Sequence, residues 1–309
     1  MYHTILVPTD GSPFSARALP VAAALARRTG ATLHLASVHD PSVFIPFVPG
    51  EIAVPVYDAE AVQADKARNR EALEAQATLL RDSGLTVQTA MLEGTVVEAL
   101  AEHADAIGAD LTVMTTHGRS GFQRLRLGSV ASSYLTRAAA PVYLVRATAD
   151  DAPLPTEAEA LPKGTLLCPL DGSTFAASII PHARRFAEGL GLTIELLSIT
   201  APAAIPMAPF GTEALLADPR DLDLQEEARH EYLARIAASC PPNTRTRVLT
   251  DMSVARTILD IAAADGAGAI AMATHGRTGI KRLVLGSVAD EVLRSADVPM
   301  LVYRPTEGG

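Results

Sequence analysis

Tryptophan is absent from the 309 residues, and aromatic residues make up only 4%. Broad base-stacking platforms of the single-strand-binding kind are therefore not indicated. Basic residues are outnumbered, 26 Lys and Arg against 35 Asp and Glu, for a formal charge of −9. Nucleic-acid binding asks for a basic face, so no nucleic-acid partner is expected. Cysteine is scarce: Cys168 sits in an apolar run, Cys240 precedes a Pro-Pro pair, and neither belongs to a CxxC pattern. That excludes a disulfide framework or a zinc ribbon. The eight histidines include no HExxH and no other metal spacing. No uninterrupted apolar run reaches membrane-spanning length. Met1 to Pro8 lacks the basic region and long apolar core of a signal peptide. A soluble, cytoplasmic chain with no membrane partner is expected. A Walker A sequence is missing, and so is a GxGxxG turn after the first strand.

What is present is a repeat. Thr4-Ile5-Leu6-Val7-Pro8-Thr9-Asp10-Gly11-Ser12 matches Thr165-Leu166-Leu167-Cys168-Pro169-Leu170-Asp171-Gly172-Ser173, an offset of 161 residues. Thr116-His117-Gly118-Arg119-Ser120-Gly121, running on to Gly128-Ser129-Val130, recurs as Thr274-His275-Gly276-Arg277-Thr278-Gly279, running on to Gly286-Ser287-Val288. Roughly half the positions from Met114 to Arg146 are identical to their partners. With 48% hydrophobic and 20% charged residues, the chain has material for two ordinary cores. Two duplicated domains are expected at 1–147 and 163–305, joined by an acidic, Pro-containing linker at 148–162.

Each repeat alternates short apolar runs with helical periods. In the first, strands are expected at Thr4–Val7, Thr32–Val38, Leu85–Leu92, Leu111–Met114 and Val142–Val145. Ser12 and Pro13 open a helix that ends at Gly30. Longer helical periods cover Ala59–Arg81 and Thr95–Ala106, and a last helix covers Ser129–Ala138. A Pro-rich loop from Pro41 to Tyr57 carries Phe44, Ile45 and Phe47. Strands apolar on both faces, alternating with helices, imply a parallel sheet covered on both sides. The expected class is α/β: two tandem doubly wound domains, each with helices on both faces.

In such sheets ligands sit outside the carboxyl ends of the strands. Asp10 and Asp171 follow the first strand of their repeats, and the glycine loops follow the fourth, so the two pieces can meet at one site. Gly118 and Gly121, like Gly276 and Gly279, can turn successive N–H groups toward an anion. Ser129 and Ser287 stand where helices begin and where the helix end adds partial positive charge. Arg119, Arg124 and Arg126, with Arg277, Lys281 and Arg282, either neutralise a triphosphate or are solvated loop charges. Asp10 and Asp171 accept from a ribose hydroxyl or an exocyclic amine; read locally, they are equally turn-forming Asx residues. His117 and His275 have no nucleophile elbow beside them and read as loop histidines.

These paired motifs resemble the universal stress protein family, in its tandem two-domain form, over nearly the whole chain. The resemblance implies a five-stranded parallel sheet of order 3-2-1-4-5 in each domain and pairing of domains, within the chain or as a homodimer. It further implies ATP, with or without Mg2+, as ligand in those members that carry G-x2-G-x9-G-(S/T). The second glycine and the terminal Gly-Ser fall on Gly118 and Gly128-Ser129, and on Gly276 and Gly286-Ser287, with nine residues between in both copies. The first glycine is replaced by Thr115 and by Ala273. A Cβ there crowds a nucleotide, more for branched Thr115 than for Ala273, though Thr115 also brings a hydroxyl. The other positions implied are Pro8, Asp10, Val38, Met114 and Val130, then Pro169, Asp171, Ile199, Met272 and Val288; Thr9, Arg119 and Gly121, with Leu170, Arg277 and Gly279, stand beside them and are expected at the same sites. The expected function is an ATP-binding regulatory or sensing module with at most slow hydrolysis. The alternative is a scaffold that binds no nucleotide and works through surfaces such as Pro41 to Tyr57.

Overall fold

The structure, a computed structural model, describes residues 1–40, 59–116, 127–146, 154–200, 219–274 and 286–305. The expected loop at 41–57 and the centres of both glycine loops lie outside the described residues. The chain divides into two units, Met1–Leu161 and Pro162–Gly309.

In the first unit, β1 (Thr4–Pro8), β2 (Thr32–His39), β3 (Val87–Glu93), β4 (Leu111–Thr115) and β5 (Val142–Val145) pair in parallel in the order β3-β2-β1-β4-β5. Consecutive residues point to opposite faces of a strand, so burial of all five residues of β4 means that both faces are covered. This is why the strands were legible as short apolar runs. The connecting helices are α1 (Pro13–Ala16), α2 (Ala18–Thr29), α3 (Ala59–Asp82), α4 (Val96–Ala106) and α5 (Ser129–Leu135).

The first helix is not continuous, as the sequence pattern had suggested. Ser12 caps α1, its side chain accepting from the Ser15 N–H, and α2 restarts after Arg17. Pro20 supplies the reason: it has no N–H to donate to the Ala16 carbonyl, and its ring crowds that carbonyl. Gly30 then closes α2 at φ 74°, where a side chain would be strained. The stretch expected as linker carries one turn of helix, α6 (Glu157–Ala160). Its start is a capping box: the Glu159 N–H donates to Thr156 Oγ1, and the Thr156 N–H donates to Glu159 Oε2. Glu157 pairs with Arg27 of α2 at 3.1 Å.

The second unit repeats the plan with β6 (Thr165–Pro169), β7 (Thr193–Thr200), β8 (Arg245–Thr250), β9 (Ala267–Ala273) and β10 (Met300–Tyr303), in the order β8-β7-β6-β9-β10. Its helices are α7 (Thr174–Ala177), α8 (Ile180–Leu190), α9 (Pro219–Ala237), α10 (Val254–Ala264) and α11 (Ser287–Ser295). Pro181 breaks α7 from α8 as Pro20 breaks α1 from α2. The strand order expected for each domain is therefore found twice.

His182 in α8 packs against Tyr303 of β10, ring centroids 4.0 Å apart and planes tilted by 42°. Burial, and then the neighbouring Arg185 charge, lower its pKa from 6.5 to about 4. Protonation therefore favours the unfolded chain. The contribution is complete above about pH 6.5 and is lost as pH falls toward about 4. Discounting for the ring's partial exposure, the loss is about 1–2 kcal/mol. Melting curves should show His182→Phe losing less stability than the parent between pH 7 and pH 4.5. Parallel pH slopes would remove His182 from the linkage.

Candidate functional site

Each unit has a cavity outside the carboxyl ends of its first and fourth strands. In the first unit β1 leads out through Pro8 into Thr9, whose N–H donates to the Ala36 carbonyl at 2.8 Å. The chain then turns at Gly11, φ 74°, a conformation that costs glycine little. Asp10 Oδ1 accepts from the Ser12 N–H at 3.0 Å and from Ser12 Oγ at 2.5 Å. The Asx-turn reading of Asp10 is thus realised, and it engages one carboxylate oxygen. On the other side, the Thr116 N–H extends the β4 ladder to the Val145 carbonyl at 3.1 Å, and the Gly128 N–H returns to the Thr116 carbonyl at 2.6 Å. That last bond pins together the two ends of the glycine loop.

The cavity between these pieces has a volume of about 320 Å³. Of the residues expected from the sequence, Pro8, Thr9, Asp10, Val38, Met114, Thr115, Gly128, Ser129 and Val130 all line it. Gly118, Arg119 and Gly121 lie outside the described residues, as do His117, Arg124 and Arg126. Six further residues complete the wall: Ser15, Ala36, Val96, Leu100, Thr116 and Ala131. Ala36 precedes Val38 by two on β2 and so shares its face. Val96 and Leu100 are four apart on α4 and so share a helix face. Both were findable by period once the strand and helix were placed.

The Gly-Ser pair opens the helix as expected. Ser129 is the first residue inside α5, and Gly128 is the N-cap, with no side-chain cap bond. A glycine at that position leaves the first-turn N–H donors without a side-chain acceptor, which suits an anion at the helix start. The same holds for Gly286 and Ser287 at α11.

The second cavity, about 220 Å³, is lined by the matching set: Pro169, Leu170, Asp171, Ile199, Met272, Ala273, Gly286, Ser287 and Val288. Phe175, Ala176, Leu197, Val254, Ile258 and Ala289 complete its wall. Gly276, Arg277 and Gly279 lie outside the described residues, with His275, Lys281 and Arg282. Asp171 repeats the Asx turn, its Oδ1 accepting from the Ser173 N–H at 2.9 Å and from Ser173 Oγ at 2.6 Å. Here α9 holds the turn from outside. Arg229 Nη1 donates to the Asp171 carbonyl, and Tyr232 OH donates to the Ser173 carbonyl at 3.2 Å. Thr115 and Ala273, the residues at the first-glycine position, both line their cavities, and the first cavity is the larger.

No basic side chain is found among the described lining residues of either cavity. No group of three or more potential metal ligands occurs among the described residues. No helix among them is long and apolar enough to cross a membrane.

The sequence profile of the universal stress protein family matches residues 1–146 and 164–304. A universal stress protein of Methanocaldococcus jannaschii is 33% identical over 148 residues, 47% of this chain and 83% of the relative. One from Mycolicibacterium smegmatis is 28% identical over 317 residues, covering 98% of this chain and 97% of the relative. Among solved structures, a universal stress protein from Archaeoglobus fulgidus superimposes with a TM-score of 0.67 at 18% identity, covering 97% of this chain and 98% of the other. At that identity the likeness speaks for the fold.

Proposed function

We propose that this chain, which belongs to the universal stress protein family and carries two of its domains in tandem, binds ATP outside the carboxyl ends of its strands. The observation that supports this is the convergence, once in each unit, of an aspartate after the first strand and a helix N-terminus capped only by glycine on one cavity. The apolar walls formed by Val38 and Leu100, or by Ile199 and Ile258, suit the faces of a base. The aspartate is an acceptor for ribose hydroxyls. The helix start faces the phosphates, with partial positive charge worth on the order of 0.3–1 kcal/mol when exposed. Mg2+ enters as the counter-ion of the triphosphate.

The role is regulatory or sensing, with at most slow hydrolysis. Catalysis of hydrolysis asks for a base positioned to orient water, and among the described lining residues of each cavity the one carboxylate holds an Asx turn. The chain works in the cytoplasm, with an adenine nucleotide as its small-molecule partner.

Thermal denaturation tests the binding. A ligand at about a hundred times its Kd adds about 2.7 kcal/mol, which raises Tm by about 5–10 °C for a domain of this size. ADP and adenosine should raise it less than ATP. An unchanged Tm at millimolar ATP contradicts the proposal and favours the scaffold reading.

A further inference from the structure

We infer that the two cavities are not equivalent and that the first is the nucleotide site of the chain, with the second at least tenfold weaker for ATP. The inference rests on the ATP reading above. Aligning the repeats through their shared motifs pairs the wall residues of the two cavities, except Thr116 of the first and Phe175 of the second. Three pairs exchange a hydroxyl for an apolar group: Thr9 for Leu170, Ser15 for Ala176, and Thr115 for Ala273. Two more exchange a small apolar residue for a larger one, Ala36 for Leu197 and Val38 for Ile199. The second cavity is the smaller, about 220 against about 320 Å³.

Two of these hydroxyls, on Thr9 and Ser15, are connected. Thr9 Oγ1 lies 3.0 Å from Ser15 Oγ and donates to Gln76 Oε1 at 3.1 Å. It also accepts from the Gly11 N–H at 3.2 Å, and Ser15 Oγ accepts from the Asp10 N–H at 3.3 Å. The network therefore holds the Asp10 turn from the cavity side. Asp10 itself is half-buried, whereas Asp171 is exposed. A polar ligand edge entering the first cavity meets hydroxyl groups. The same edge entering the second meets Leu170, Ala176 and Ala273, and a buried polar group left without a partner costs enough to lose a factor of ten or more in affinity.

The second cavity keeps its aspartate and its glycine-capped helix, so it stays a weak site for the same ligand.

One titration reads the two sites separately. Met114 lines the first cavity and Met272 the second, and both are buried. The full chain is labelled with 13C at its methionine methyls and titrated with ATP. Met114→Leu and Met272→Leu identify the two signals among those of the seven methionines. The Met114 signal should move with a midpoint at least tenfold lower in ATP than that of Met272. Midpoints within a factor of three, or Met272 moving first, overturn the inference while leaving the ATP reading intact. If neither signal moves at millimolar ATP, the ATP reading itself fails and the inference with it. Combined Thr9→Leu and Ser15→Ala should raise the Met114 midpoint at least tenfold, and Leu170→Thr with Ala176→Ser should lower that of Met272. Midpoints unmoved by both pairs of changes would overturn the assignment of the difference to these hydroxyls.

Discussion

Asp10→Asn should weaken ATP binding by about tenfold to a hundredfold while leaving the unliganded protein's Tm within about 2 °C of the parent. The two halves of that expectation come from different atoms of one side chain. Asp10 Oδ1 holds the turn by accepting from the N–H and the hydroxyl of Ser12. Asparagine keeps an oxygen that accepts both bonds, so the turn persists. What it loses is the negative charge and the acceptor capacity of the second oxygen. A hydrogen bond from a ribose hydroxyl to a carboxylate is worth about 1.5–3 kcal/mol, or roughly tenfold to a hundredfold in Kd. Calorimetric titration and a melting curve on the same sample check both halves. Unchanged affinity would make Asp10 a turn residue and nothing more. A large fall in Tm would show that the turn needs the charge.

The largest effect on stability should come from Phe186→Ala. Phe186 is 0% exposed, on the face of α8 that packs against β6 and β7. Its counterpart in the first unit is Leu25 of α2, also 0% exposed. Removing a buried phenyl ring costs the transfer of its surface plus the cavity left behind, about 3–5 kcal/mol. For a unit of this size that lowers the melting transition by about 6–20 °C. Scanning calorimetry reads it directly, and multi-domain chains need each transition fitted separately. A fall of less than 2 °C would mean that the ring can be replaced by collapse of its neighbours.

Much of this structure is legible in the sequence for a specific reason. Strands buried on both faces must be largely apolar, so Thr4–Pro8 and Leu111–Thr115 stand out; the order of strands was implied by the family resemblance. The duplicated Asp-Gly-Ser turns are also legible, because Gly11 and Gly172 take φ of 74° and 88°, which few other residues tolerate.

Other features were present in the sequence but were outweighed by a stronger local signal. Pro20 lies three residues into α2, and the apolar spacing across it suggested one continuous helix; the lost donor to Ala16 decides otherwise. The Thr156…Glu159 spacing is a capping-box signature inside a stretch whose prolines and acids read as linker.

The differences between the two cavities depend on contacts between distant segments. Nothing near Thr9 in the chain says that its hydroxyl meets Gln76, 67 residues away, or that Arg229 reaches the backbone of Asp171. Spacing identifies both motifs equally well; the walls around them do not follow from spacing.

The measurement closest to the centre of this account is a crystal structure of the full chain grown with ATP and Mg2+. Electron density for the nucleotide is predicted in the first cavity, its ribose against Asp10 and its phosphates at the start of α5. A nucleotide bound elsewhere on the chain, or none in either cavity at millimolar ATP, would contradict it.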